Sequence, residues 1–148
     1  MDRFTPLIEP SILTFRIPAS RTPIIGREDE TASVSRLIGQ GARLITLVGA
    51  GGVGKTRLAL AIAENQRAAF DGRVGWVSLG DLTDPDLLLD AILRALRVSS
   101  QGRDPIDALN GALGDAPALL VIDNMEHLAG GSAVLATVLD RIPALIVL

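Results

Sequence analysis

The stretch LITLVGAGGVGKTRLALAIAEN, residues 44–65, decides the fold. An apolar run ends at Val48, four glycines crowd the next few positions, and Lys55-Thr56 follows the last of them. Leu58, Ala59, Ile62 and Ala63 then recur at helical spacing. The reading is a buried strand, a glycine-rich bend and a helix. Gly49-Ala50-Gly51-Gly52-Val53-Gly54-Lys55-Thr56 fits G-x-x-x-x-G-K-[ST] in the setting that motif requires. Glycines allow positive-φ bends and let backbone N–H groups point inward at an anion. The helix adds unpaired amides and its positive dipole end. Lys55 supplies a full charge for β- and γ-phosphates, and the Thr56 hydroxyl is placed to hold Mg²⁺. Arg57 comes next, and it reads either as a surface ion pair or as a further phosphate contact.

Outward from the bend, strands and helices alternate. Apolar runs RLITLV (43–48), RVGWVSL (73–79), ALLVID (118–123) and ALIVL (144–148) read as strands. Helices are expected over 27–40, 54–70, 84–96, 104–114 and 126–140. Asp84-Pro85 and Asp104-Pro105 mark two of their starts, because Asp caps well and Pro is tolerated at the first helical position. The strands are apolar on both faces, the pattern of a parallel sheet covered by helices on two sides. The expectation is a P-loop NTPase fold, a three-layer α/β/α sandwich. In this class the strand after residues 118–123 inserts between that strand and the one before the glycine-rich bend, so the mainly parallel sheet has the expected strand order 1-4-3-2. Residues 1–23, punctuated by proline, read as a lead-in or linker with a short ordered piece near Ile12–Ile17. Residues 24–148 form the ATPase domain. Its last apolar strand ends the chain, which suggests a fragment truncated at the C-terminus.

A Mg·phosphate site wants a carboxylate at a neighbouring strand end. ALLVIDNMEH offers Asp123, which pairs with Thr56 as the metal site. Alone, such an Asp would more often cap a helix; beside the phosphate loop it reads as the metal-holding Walker B acid. Asn124 stands where many such ATPases carry a second acid, and an amide can orient a water but cannot take its proton. Glu126 is the candidate base, or it simply opens the following helix. Lys55, Asp123 and Glu126 are the catalytic candidates, and slow hydrolysis is expected. His127, the only histidine, reads as solvated or as a relay of the phosphate state. Trp76 reads as core.

Composition narrows the class. Of the 148 residues, 48% are hydrophobic, so disorder is not expected. No apolar run approaches bilayer length, and no signal-peptide core opens the chain, so a soluble, cytoplasmic protein without membrane contact is expected. The absence of cysteine excludes disulfides and thiolate metal sites. A net charge of −3 argues against a broad nucleic-acid-binding face, so nucleic acid would be met only through a domain not in this chain. No N-K-x-D element is present to read guanine, so adenine is favoured: the cofactors expected are ATP or ADP with Mg²⁺.

TPIIGREDE (22–30), LVGAGGVGKTRLALAIA (47–63), VSLGDLTDPDLLLDAI (77–92) and LLVIDNMEHL (119–128) occur in that order. Together they resemble the signal-transduction ATPases with numerous domains, the STAND class. They resemble in particular the NB-ARC-like ATPase module of bacterial transcriptional regulators of the LuxR and SARP types. The resemblance nominates Ile25, Gly26 and Arg27 for the adenine–ribose end of the nucleotide; otherwise Arg27 would be read as opening a helix and pairing with Glu30. It also implies a nucleotide-dependent switch driving an output domain, with self-assembly or partner contact through domains outside this chain. The alternatives are a non-hydrolysing nucleotide-binding assembly module and a small-molecule P-loop kinase.

Overall fold

The computed structural model describes residues 13–20, 23–49 and 54–148 of the chain. The helices are α1 (Glu28–Gly39), α2 (Lys55–Gln66), α3 (Leu88–Ala95), α4 (Pro105–Leu113) and α5 (Gly131–Arg141). The strands are β1 (Val74–Ser78), β2 (Ala118–Asp123) and β3 (Leu145–Val147). They form a parallel sheet in the order β1-β2-β3. The segment before the glycine-rich bend joins beyond β3, through a parallel bridge between Leu44 and Val147. The expected order 1-4-3-2 therefore holds.

Side chains along β2 alternate between two cores, as a strand's period of two requires. Ala118 and Leu120 face a core built with α3, α4 and α5. Leu119 and Val121 face a second core with α1 and α2. Trp76 packs against the second core. Fully burying a side chain such as Leu119 or Ile62 contributes about 1.5–3 kcal/mol, so these two faces carry the domain.

Helix starts follow the expected chemistry. Asp84 accepts from the Asp86 amide, and Asp104 accepts from the amides of Ile106 and Asp107. Arg141 reaches back from α5 to Asp104 and Asp107. The Asp107 amide, opposed by desolvation and helped by Arg141, holds the Asp104 carboxyl below its ordinary value. A lowered carboxylate value stabilises the fold above the usual Asp range, and that contribution disappears as pH falls through the lowered value.

Two arginines tie helix ends to the sheet. Arg43 donates to the carbonyls of Leu139, Ile142 and Leu145, where α5 hands over to β3. Arg73 does the same for Leu113, Ala116 and Pro117, where α4 hands over to β2. Each satisfies carbonyls that a helix C-terminus leaves without partners.

Several elements differ from expectation. Residues 43–48 are not a full buried strand. Among the described residues Val147 exchanges bonds with Arg43 and Ile45, and the bridge there is isolated. Ile45 is buried, but Leu44 is 48% and Val48 89% exposed. Helix 126–140 is broken into a 3-10 turn, Met125–His127, and α5, with Gly130 between them in a left-handed conformation at φ 83°. The helix begun at Asp84 opens with a 3-10 turn, Pro85–Leu87. Helix α2 stops at Gln66, and the chain turns through Asp71 and Gly72, both at positive φ.

The lead-in packs where it is described. The Thr14 amide donates to Leu96, and Arg73 lies 5.3 Å from the Phe15 ring centroid. Leu13 and Phe15 join the first core and Ile17 the second. Gly75 of β1 lies where Leu96 and Leu120 crowd the strand. A Cβ there would stand 2.9 Å from a Leu96 methyl and 3.3 Å from a Leu120 methyl. Gly75→Ala should therefore lower stability by about 1–3 kcal/mol, the cost of overpacking. Urea unfolding with an unchanged m-value is the measurement; an unaltered midpoint would contradict it.

Candidate functional site

β1 and β2 end level, with Ser78 paired to Asp123 and the Leu79 amide donating to the Asp123 carbonyl at 3.1 Å. Asp123 thus sits at the carboxyl end of a central strand, where ligands bind in open α/β sheets. Gly54 precedes α2 at φ 80°, a left-handed conformation that glycine adopts without strain. It places Lys55 and Thr56 on the first helical turn. Among the described residues no side chain caps that turn, and no acid lies in it, so its dipole favours an anion.

The Thr56 hydroxyl donates to Asp123, at 3.1 Å and 3.2 Å from its two carboxylate oxygens. Residues 67 positions apart are brought together here. The Lys55 ammonium donates to the Gly49 carbonyl at 3.0 Å, across the mouth of the glycine-rich bend. Ala50, Gly51, Gly52 and Val53 lie outside the described residues. Lys55, Thr56, Asp123, Asn124 and Glu126 line one cleft, floored by apolar side chains from the strand ends. A hydroxyl and a carboxylate are hard oxygen donors, the set that Mg²⁺ takes, so these residues fit that ion.

Other nominated residues lie elsewhere. Ile25 is 89% exposed, Gly26 sits at φ 82°, and Arg27 pairs with Glu30 at 3.1 Å. Arg27 borders a different groove, between α1 and α2, shared with Thr31, Ser35 and Asn65. Arg57 is exposed on the first turn of α2 and forms no ion pair among the described residues. His127 is exposed, with its Nε2 3.9 Å from a Glu126 oxygen. Gln66 was not foreseen: it is 5% exposed between α1 and α2 and donates to Ser35 at 2.7 Å.

A family model described as an AAA domain matches residues 37–145. The chain belongs to the AAA domain family. It is an AAA-type P-loop ATPase domain, and this family generally uses a nucleotide and Mg²⁺. A Mycobacterium tuberculosis protein named only as uncharacterized is 36% identical over 149 residues, covering 98% of the AAA chain and 38% of its own length. A second M. tuberculosis protein, named as an HTH-type transcriptional regulator, is 39% identical over 110 residues, or 72% of this chain and 12% of its own. The crystal structure of Cdc6p from Pyrobaculum aerophilum matches with a TM-score of 0.63 at 22% identity, covering 93% of this chain and 39% of that one. That likeness supports the α/β fold alone. The AAA chain spans well under half the length of each of these proteins. Among the described residues, no helix is long and apolar enough to cross a membrane.

Proposed function

We propose that this AAA domain is the nucleotide-binding core of a STAND-class, NB-ARC-like signal-transduction ATPase. It would bind ATP or ADP with Mg²⁺, hydrolyse ATP slowly and act as a switch. Residues 24–148 are the domain and residues 1–23 its lead-in. The observation that carries the reading is the Thr56–Asp123 pair at the mouth of a helix opened by Gly54.

The roles follow from chemistry. Amides between Gly49 and Lys55 wrap the phosphate chain, Lys55 neutralises its charge, and Arg57 adds to the field at that end. Thr56 and Asp123 hold the metal, which when bound offsets charge on the β- and γ-oxygens. Glu126, in the same cleft, takes the proton of the attacking water. Ile25, Gly26 and Arg27 serve the adenine–ribose end. The likeness to a protein named as an HTH-type transcriptional regulator supports a transcriptional output outside this chain. Nucleic acid would be met through that output, and self-assembly through further domains.

Asn124 favours one second reading, an assembly module that keeps its nucleotide without turnover, because no carboxylate adjoins Asp123 on that side. Single-turnover reaction of the full chain with γ-labelled ATP separates the two. Release of inorganic phosphate is expected; label retained as bound ATP would favour the assembly module, and label on a metabolite would indicate a kinase.

A further inference from the structure

Asn124 takes a left-handed backbone conformation, φ 66° and ψ 32°, directly after the metal-site acid. Residues other than glycine rarely do so, and asparagine is among the few that tolerate it. The side chain does not cap the 3-10 turn that follows, so a capping role does not explain the residue. The consequence lies in the chain direction. After the bend, Met125 and Leu128 share one face of the turn and pack into the first core. A Cβ on Gly131 would collide with the Met125 methyl and crowd Leu128, so the turn is seated on the start of α5. Met125 also borders the cleft, and the half-exposed Glu126 lines it with Lys55, Thr56 and Asp123.

We infer that Asn124 is a positioning residue: its left-handed backbone, seated by Met125, Leu128 and Gly131, delivers Glu126 to the cleft as the base for water attack. This explains how hydrolysis proceeds with no acid at position 124. The amide of Asn124 is dispensable, and its backbone conformation is not. The inference rests on the ATPase reading above and adds to it a requirement at a residue with no proton chemistry of its own.

Variants of the full chain test it, with Mg·ATP affinity and kcat measured separately. Glu126→Gln should lower kcat about a hundredfold, the lower end of what general-base catalysis contributes. Asn124→Val should lower kcat about tenfold or more with affinity within about threefold, since a β-branched residue is strained in this conformation. Asn124→Gly, which keeps the conformation and deletes the amide, should retain more than about a third of the parental kcat. If the Val variant does not fold, Asn124→Ala reads out the same strain in milder form. Equal losses for Gly and Val would overturn the inference in favour of a water-orienting amide. Full turnover by Glu126→Gln at normal affinity would overturn it alone, whereas a parent chain that binds ATP without turnover would overturn the ATPase reading and this inference together.

Discussion

Lys55→Ala should weaken binding of ATP by about two orders of magnitude while leaving the fold intact. Truncating one member of a close charge pair costs about 2–5 kcal/mol, and each 1.4 kcal/mol is about tenfold in affinity. A lysine on polyphosphate sits within that range. The fold is indifferent because the hydrogen bond of Lys55 goes to the carbonyl of Gly49, which stands in contact with solvent. Helix α2 is held instead by Leu58, Ala59, Ile62 and Ala63 in the second core. Titration of the full chain with fluorescent ATP is the measurement, with thermal unfolding as the control. A Lys55→Ala chain that melts normally and binds with parental affinity would remove the phosphate-site reading altogether. Lys55→Arg should recover only part of the loss, since a planar guanidinium does not reproduce a compact ammonium.

Legibility in the sequence varied with how local the deciding physics was. Residues 118–123 read as a strand and are one, because an apolar run buried on both faces leaves little else for the chain to do. Asp84-Pro85 and Asp104-Pro105 open their helical segments for reasons contained within a single turn. The strand order was legible through the fold class that the glycine-rich bend implies. Residues 43–48 were harder. Apolarity announced a strand, but a strand also needs a partner along its length, and among the described residues β3 supplies bonds to Arg43 and Ile45 alone. The break between Met125–His127 and α5 was marked by Gly130-Gly131, yet the reason for it is tertiary: Met125 and Leu128 occupy the space beside Gly131. The packing of Phe15 beneath Arg73 joins residues far apart in the chain, and no local pattern signals a contact of that span. At the site, Thr56 and Asp123 were paired from sequence, and they meet. The grouping of Ile25, Gly26 and Arg27 came from resemblance, and Arg27 pairs with Glu30, the plainer of its two readings. What the sequence concealed was backbone conformation at Asn124; its tolerance of the left-handed region was the available signal.

Asp123→Asn should separate metal chemistry from architecture. The substitution keeps shape and removes charge, and the amide oxygen can still accept from Thr56. The sheet does not depend on the carboxylate. Leu79 donates to the main-chain carbonyl of residue 123, and the β1–β2 register is set by backbone bonds throughout. A neutral amide is a far poorer partner for Mg²⁺ than a carboxylate, so the increment that magnesium adds to nucleotide affinity should disappear. Turnover should fall by about a hundredfold to a thousandfold, since a metal ion stabilises transition-state charge by several kcal/mol. Nucleotide affinity measured in EDTA should be no weaker than that of the parent, because the loop amides and Lys55 are untouched and a negative charge beside the phosphates is gone. Thr56→Val should reproduce the loss of the magnesium increment through the other member of the pair, 67 positions away. If both variants retained a parental response to magnesium, the Thr56–Asp123 contact would be a helix-to-strand tether only. The assignment of a metal to this cleft would then have to be abandoned, even with nucleotide binding intact.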